Sequence, residues 1–286
     1  MSKRRGFDYE MNAYRALKEY DISFGASPAG AASDRPDLEI KKDKKNLKTT
    51  GVELKLSPTA AGSLVLKYYG GKWSFDDPGD DPEKLLMIGM AKEVRLFNGY
   101  LNTRSSGWGK NTPLLQNDPA NPRTKLVNGK KFSDYSVKEK GKFYEMDIGN
   151  YGGANEVIIN VPASKICDYY KAKKCSYMQV ASHGFYILNG RDDFGLNKIL
   201  SDRGLEKIPD FKNSVTARIR CRCQIKSTSK KDYQFVMTLD FQRATKSPYN
   251  LAPIMSARNV SIRKTKTSGG LLTENNMALL SAINGD

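Results

Sequence analysis

Two short runs of alternating apolar and polar residues, separated by a lysine-rich segment, constrain the fold of this chain most. They lie in "RPDLEIKKDKKNLKTTGVELKLSP", residues 35–58, and predict a strand, a turn and a second strand. The buried alternation of the second strand consists of Val52, Leu54 and Leu56. Because side chains two apart on a strand project to the same face, Glu53 and Lys55 share the other face. If the strands pair, Asp37 approaches Glu53, and two carboxylates and an ammonium group meet at one end of a hairpin.

The remaining patterns predict both helices and strands. Residues 7–20 have the periodicity of an amphipathic helix, and its apolar stripe is expected to be Phe7, Met11, Tyr14 and Leu17. Further helices are predicted over 82–101 and after Pro162, and strands over 63–75, in "EVIINVP", on both sides of the turn 182–184, and over 215–227 and 232–244. The predicted fold class is α/β in the α+β sense, with a central mixed β-sheet flanked by helices and additional C-terminal β-strands.

The chain is expected to form a single domain over 1–286, because no composition boundary or internal repeat divides it. A core is expected at 1–101 together with 155–200. The polar stretch 102–142 is interpreted as a loop or an insertion. The part from 205 to 286 is interpreted as a basic β extension that contacts nucleic acid.

A large excess of positive charge points to a polyanionic partner. Lysine and arginine number 47 against 31 aspartate and glutamate, which gives a net charge of +16 and a pI near 9.5. DNA or RNA suits such a surface. A membrane partner is not expected, since the chain has no apolar run of ~18 residues and no secretory signal. A cytoplasmic protein is therefore expected, with a generic basic protein as the alternative interpretation of the charge.

Missing motifs exclude several other chemistries. No Walker-type glycine-rich loop ends in Gly-Lys-Ser/Thr, so ATP is not expected as a partner. His183 is the only histidine, which excludes a histidine-rich metal site and an HNH-type nuclease, and no nucleophile elbow accompanies it. Cys221 and Cys223 share one face of a predicted strand and are expected in the core, with a zinc site as the alternative.

The predicted cluster of Asp37, Glu53 and Lys55 suits metal-dependent chemistry on a phosphodiester. Mg²⁺ prefers hard oxygen ligands and commonly takes one or two carboxylates together with waters and substrate phosphate; Mn²⁺ is the alternative ion. Asp37 and Glu53 would be the metal ligands, helped by the carbonyl of Leu54. Lys55 would orient the attacking water or neutralise the scissile phosphate. A solvated strand face with a cross-strand ion pair is the alternative, and two nearby acids are rival ligands, namely Asp34 and Glu39.

The same residues resemble the PD-(D/E)XK nuclease superfamily. Pro36-Asp37 in "RPDLEI" matches the PD element, and Glu53-x-Lys55 in "VELK", 16 residues after Asp37, matches the (D/E)XK element. The family commonly places an acid on the helix before the first strand, and Glu10 in "DYEMNAYRAL" fits that place. The resemblance implies a restriction-endonuclease-like αβββαβ core and Mg²⁺-dependent phosphodiester hydrolysis, usually of DNA. It also implies catalytic roles for Glu10, Asp37, Glu53 and Lys55.

Two basic segments are candidates for contact with nucleic acid. Residues 217–226, "ARIRCRCQIK", alternate between small or apolar side chains and polar ones. The polar face offers donors for phosphates and base edges and consists of Arg218, Arg220, Arg222, Gln224 and Lys226. The alternative is an exposed strand paired with Asp232 or Asp240. The turn between the two proposed catalytic strands is either a clamp on the DNA backbone or a soluble hairpin tip, and its lysines include Lys41, Lys42, Lys44 and Lys45.

The function predicted from these features is a Mg²⁺-dependent DNA endonuclease, a site-specific cutter of restriction type. Its expected partner is double-stranded DNA, and the resemblance makes a homodimer plausible because such enzymes often cut both strands as dimers. One alternative is a recombination, repair, junction-resolving or homing nuclease on the same core. The other is a DNA-binding protein without catalysis.

Overall fold

Helices and strands alternate along the chain, and the strands form two β-sheets. The computed structural model describes residues 2–26, 28, 35–42, 48–56, 62–69, 72–75, 78–96, 136–139, 156–181, 183–188, 190–227, 232–243, 245–251 and 273–285. The helices are α1 (Ser2–Glu19), α2 (Pro82–Glu93), α3 (Ala163–Ala172), α4 (Leu196–Asp202), α5 (Phe211–Ser214) and α6 (Glu274–Asn284). The strands are β1 (Leu38–Lys41), β2 (Thr49–Lys55), β3 (Gly62–Tyr69), β4 (Lys72–Phe75), β5 (Glu156–Val161), β6 (Cys175–Val180), β7 (Gly184–Ile187), β8 (Val215–Ser227) and β9 (Asp232–Arg243). The predicted α+β class is confirmed, and none of the described helices has both the length and the apolar composition needed to cross a membrane.

The first sheet contains the hairpin predicted in residues 35–58. Its strand order is β1-β2-β6-β7. β1 runs antiparallel to β2, with Leu38 opposite Val52, whereas β6 runs parallel to β2. A parallel neighbour requires a crossover connection, and α3 directly precedes β6 along the chain. Phe24 forms an isolated antiparallel bridge with Ile40 of β1. Because β1 and β6 flank β2, this strand lies in the interior of a mixed sheet.

β2 is buried on both faces, which makes a charged residue within it unusual. Val52 and Leu54 belong to one core cluster, and Leu56 packs against that cluster. This part of the predicted alternation is confirmed. Gly51 and Glu53, which project to the other face, are buried as well. The polar face of the strand is therefore covered by protein rather than by solvent.

α1 packs against the same cluster through a stripe that differs from the predicted one. Tyr9, Ala13 and Leu17 are buried in it, at the spacing of successive turns on one helix face. Phe7 was assigned to this stripe by its spacing from the other apolar residues, but it is 47% exposed. Glu10 directly follows the buried Tyr9 along the helix.

The second sheet has the strand order β4-β3-β9-β8-β5. β3 runs antiparallel to β4 and to β9, and Leu64 of β3 lies opposite Met237 of β9. The sequence predicted one central sheet, and this arrangement corrects that expectation. Because β3 and β9 lie far apart along the chain, no local pattern in the sequence reveals that they pair.

The chain groups into two compact units, where the sequence predicted a single domain over 1–286. The first unit comprises Met1–Ala61, Pro162–Ala217 and Phe241–Asp286, and the second comprises Gly62–Val161 and Arg218–Asp240. Two of the boundaries fall inside β8 and β9, so no change of composition marks them. The predicted loop or insertion at 102–142 lies outside the described residues, except for 136–139.

Candidate active site

Asp37, Glu53 and Lys55 lie together at one end of the β1–β2 hairpin. Asp37 directly precedes β1, and its Oδ2 accepts a hydrogen bond of 2.7 Å from the backbone N–H of Leu54. One carboxylate oxygen of Glu53, Oε1, lies 2.7 Å from Lys55 Nζ. The two acids are buried, with Glu53 only 2% exposed, while the Lys55 side chain is 15% exposed. The lysine is therefore the member of this group with more access to solvent.

A second lysine, which the sequence analysis missed, completes the group. Lys173 follows the last residue of α3, and its Nζ lies 2.9 Å from Glu53 Oε2. Each oxygen of the Glu53 carboxylate thus has its own ammonium partner. Both lysines also lie over the ring of Tyr170, Lys55 at 5.3 Å and Lys173 at 5.4 Å from its centre. Lys173 belongs to no recognised motif, and only the parallel pairing of β6 with β2 brings it to Glu53.

The backbone at the end of α3 is fixed against β2 by a close approach. Lys174 has a φ of 61°, which ends the helix, and its carbonyl accepts a hydrogen bond of 3.1 Å from the N–H of Gly51. A Cβ atom on Gly51 would lie 2.7 Å from that carbonyl oxygen and 2.7 Å from the ring of Pro36. Glycine is required here because any side chain would push the end of α3 away. This approach is what places Lys173 beside Glu53.

The two lysines keep Glu53 ionised despite its burial. Burial by itself raises the pKa of Glu53, but the charges of Lys55 and Lys173 outweigh that effect and hold the pKa below its ordinary value. Burial likewise lowers the pKa of Lys173, and the charges of Glu53 and Asp37 more than compensate, so this pKa is raised. Glu53 and its two partners therefore form a charged triad in the interior.

The other two acids of the group shift in the opposite direction. Burial, and then the charge of Glu53, raise the pKa of Asp37 well above its ordinary value, although Lys55 opposes the rise. The same two causes raise the pKa of Glu10 to about 7. Glu10 lies on α1, and the charge of Glu53 adds to the effect of its burial. Of the three acids, Asp37 and Glu10 therefore resist ionisation.

The donor set fits a divalent cation with hard oxygen ligands. Oε2 of Glu10 is buried and accepts no hydrogen bond from the residues that the structure describes. An unsatisfied buried acceptor is unfavourable unless something binds it. Mg²⁺ or Mn²⁺ would satisfy this oxygen and relieve the repulsion among the three acids.

A cation in this position would also need oxygen atoms from water or substrate. No three His, Cys, Asp or Glu side chains of the described residues lie close enough together to hold a metal ion unaided. Mg²⁺ commonly uses one or two carboxylates, and Asp37 and Glu53 are the residues that would hold it. A carboxylate has about four lone-pair positions, so Glu53 has acceptor capacity beyond its two lysines. The role of the Leu54 carbonyl as a further ligand stays a prediction.

Glu39, one of the two rival ligands, receives no support from its position. A Cβ atom on Gly25 would lie 2.9 Å from Cδ of Glu39, so the Glu39 side chain lies against Gly25. Glu39 also does not contribute to the raised pKa of Asp37 or of Glu10. Asp34 lies outside the described residues.

Two of the arginines predicted to contact nucleic acid are paired with an acid. Arg220 Nη1 lies 2.9 Å from Asp240 Oδ2, and Arg218 Nε lies 3.7 Å from the same oxygen. Asp240 is 1% exposed, so this is the cross-strand pairing that the sequence left open as the alternative. β8 also contains three candidates whose side chains lie outside the description, namely Arg222, Gln224 and Lys226. Contact between this strand and nucleic acid stays a prediction.

The lysine-rich turn is held at its base by the segment that precedes α4. Lys42 Nζ donates a hydrogen bond of 2.5 Å to the carbonyl of Phe194, and Lys48 Nζ donates one of 2.5 Å to the carbonyl of Asp193. These contacts orient the end of β1 and the start of β2. The other lysines of the turn are described only in part: Lys41 is half-buried, and Lys44 and Lys45 lie outside the described residues. The proposed clamp on a DNA backbone stays a prediction.

Comparison with known proteins adds no family to this description. No family model matches the chain, and the searches found no similar curated protein and no similar solved structure. The functional interpretation therefore rests on the residues of the site, their geometry and their charges.

Proposed function

We propose that this protein is a Mg²⁺-dependent nuclease that hydrolyses phosphodiester bonds of double-stranded DNA, with Glu10, Asp37, Glu53 and Lys55 in its active site. One observation carries the proposal: Asp37, Glu53 and Lys55 meet at one end of the hairpin, and Glu10, whose pKa is raised by burial and by the charge of Glu53, keeps a buried oxygen that no described residue satisfies. Perturbed carboxylates around a charged partner are typical of functional sites.

The order of elements in the first sheet supports a restriction-endonuclease-like core. Along the chain, α1 is followed by the bridge at Phe24, then by β1 and β2, and later by α3 and β6. A helix, a one-residue bridge, two strands, a helix and a strand in this order are similar to the αβββαβ pattern of the PD-(D/E)XK resemblance. The parallel pairing of β6 with β2 is consistent with this core. The larger segment of the second compact unit, Gly62–Val161, then lies between β2 and α3 along the chain.

Each residue of the site has a role that follows from its surroundings. Asp37 and Glu53 would hold the cation, and Glu10 would face it from α1. When bound, Mg²⁺ would lower the pKa of a water molecule and stabilise the charge that develops on the phosphate. Lys55 is oriented by Glu53 at 2.7 Å and retains access to solvent. It is therefore placed to orient the attacking water or to donate a hydrogen bond to the phosphate.

The net charge of +16 supports a nucleic acid substrate, because a basic surface attracts the phosphate backbone. We propose a site-specific endonuclease of restriction type that acts as a homodimer. A repair, recombination or homing nuclease, and a DNA-binding protein without catalysis, are distinguished from it by the products of the following assay.

Purified protein is incubated with supercoiled plasmid, linear duplex and branched DNA, in Mg²⁺, Mn²⁺ or EDTA. Discrete fragments in the metal-containing samples support an endonuclease, gradual loss from the ends indicates an exonuclease, and preference for branched DNA indicates a junction-resolving enzyme. A gel shift without cleavage would leave a DNA-binding protein and refute the catalytic proposal.

Substitutions then locate the active site. Glu53→Gln and Lys55→Met should each lower the cleavage rate by roughly 10²–10⁴-fold, the contribution of a positioned acid–base group, and should leave duplex binding largely intact. Asp202→Asn is the matched control, because Asp202 is exposed and pairs at 2.7 Å with the exposed Lys198. Cleavage at the wild-type rate by both E53Q and K55M would place the active site elsewhere.

A further inference from the structure

Lys173 brings more positive charge to Glu53 than the pairing of that acid requires. Lys55 already lies 2.7 Å from Glu53, and Lys173 adds a second ammonium group at 2.9 Å. Transferring a lysine to the interior is unfavourable unless its charge is compensated, and Lys173 shares its compensating acid with Lys55. Pairing with Glu53 alone therefore does not explain why the chain buries a second lysine here, and Asp37 contributes to the compensation of its charge.

The charge of the complete site explains the surplus. With all three acids ionised by a bound divalent cation, the three carboxylates, the two ammonium groups and the cation would together carry a formal charge of plus one. A phosphodiester carries one negative charge, so substrate binding neutralises this site. Without Lys173 the same site would already be neutral, and the attraction for a phosphodiester in a poorly solvated position would be weaker.

The position of Lys173 is also rigid. Its backbone is held by the hydrogen bond between Gly51 and Lys174, where a Cβ atom would not fit. Its ammonium group lies 5.8 Å and 5.4 Å from the ring centres of Tyr169 and Tyr170, and cations are favourable over such rings. A lysine held at both ends acts with less loss of conformational entropy than one on a mobile loop.

We propose that Lys173 is a positioning residue of the active site, which holds Glu53 in place and supplies the positive charge that matches a phosphodiester monoanion. This inference rests on the proposed function and deepens it by naming the charge of the substrate group. Lys173 acts through Glu53, whereas Lys55, with its greater exposure, is the lysine that meets the substrate.

The test compares Lys173→Met, which removes the charge and keeps the length of the side chain, with Lys173→Arg, which keeps the charge. Lys171→Met on the exposed side of α3 is the control. Mn²⁺ affinity is measured by calorimetry without DNA, and kcat and KM are measured with a duplex substrate. K173M should bind Mn²⁺ at least as tightly as wild type, because an ammonium group that competes for Glu53 is gone.

Cleavage should change in the opposite direction. K173M should lose roughly 10²–10³-fold in kcat/KM, the effect of removing one preorganised charge, with KM raised as well as kcat lowered. K173R should recover at least a tenth of the wild-type rate, and K171M should resemble wild type. A purely structural role would instead weaken Mn²⁺ binding and cleavage together and would not be rescued by arginine.

The outcomes separate this inference from the proposed function. Wild-type kcat and KM in K173M, alongside an inactive E53Q, would overturn the inference and leave the nuclease proposal standing. A wild-type protein that neither binds Mn²⁺ nor cleaves DNA would overturn both. If circular dichroism shows that K173M does not fold, the cleavage rate of K173R decides. A cleavage rate as low as that of K55M would overturn the inference, and a rate within ten-fold of wild type would support it.

Discussion

Replacing Glu10 by glutamine should stabilise the protein at mildly alkaline pH when no divalent cation is bound. Burial, and then the charge of Glu53, raise the pKa of Glu10 to about 7 from its ordinary value of 4.5. A carboxyl group whose pKa is raised by folding is held protonated by the native state. The stability of the wild type therefore falls as the pH rises from the unfolded pKa to the folded one, and the loss is complete above pH 7. Glutamine does not ionise, so E10Q escapes this loss.

The size of the effect follows from the pKa. One pKa unit corresponds to about 1.4 kcal/mol, which sets an upper limit of about 3.4 kcal/mol for Glu10. Because Glu10 is only partly buried, solvent screening reduces this value to on the order of 1–2 kcal/mol. For a chain of this length, 1 kcal/mol corresponds to roughly 2–4 °C in melting temperature. E10Q should thus melt roughly 2–8 °C above wild type at pH 8 in EDTA, with a smaller difference at pH 5.

Thermal unfolding followed by circular dichroism measures this difference at pH 5 and pH 8, in EDTA and in saturating Mg²⁺. Mg²⁺ should stabilise the wild type by about 2.7 kcal/mol at a concentration 100 times its Kd, and it should stabilise E10Q less, because one of the three acids is gone. D202N controls for the loss of an acid elsewhere. Equal melting temperatures of E10Q and wild type at pH 8 in EDTA would refute the raised pKa of Glu10, and with it the contribution of burial and of Glu53.

Two further predictions concern the approach of α3 to β2 and the arginines of β8. Gly51→Ala should destabilise the protein by roughly 1–3 kcal/mol, the usual effect of overpacking. Gly89→Ala, where nothing lies within 4 Å of the added Cβ, should instead stabilise the protein by roughly 0.4–1 kcal/mol. Urea unfolding measures both changes in stability, and changes of the same sign would contradict the close approach of Gly51 to Lys174. Asp240→Asn should raise the affinity for duplex DNA and steepen its salt dependence, because the charge of Asp240 no longer neutralises Arg220. The affinity is measured by titration at several salt concentrations, and an unchanged value would exclude this end of β8 from the interface.

The sequence predicted the part of the site that local periodicity determines. Alternation of apolar residues placed Glu53 and Lys55 on one face of β2, and the short turn made antiparallel pairing with β1 the natural expectation. Asp37 then followed from its position at the start of β1. These three residues lie within one hairpin, so no knowledge of distant contacts was needed to bring them together.

The parts that escaped prediction depend on distant contacts. Lys173 reaches Glu53 because β6 pairs in parallel with β2, and that pairing joins strands separated along the chain by Gly62–Val161 of the second unit. The partner of β3 was missed for the same reason, since β9 follows it only after most of the chain. The inward face of α1 was misassigned because Phe7 and Tyr9 are both aromatic, and spacing alone does not decide which of them is buried.

An ordinary structural ion pair does not account for the charges around Glu53. Such a pair needs one acid and one base, and Glu53 with Lys55 at 2.7 Å would satisfy it. The chain instead adds Asp37 and Glu10, and the pKa of each is raised by burial and by Glu53, which means that their ionisation opposes folding. Natural proteins keep unfavourable groups of this kind mainly where function requires them. The same groups become favourable once a divalent cation lies among them, so the arrangement that weakens the free protein is the one that a metal-dependent nuclease needs.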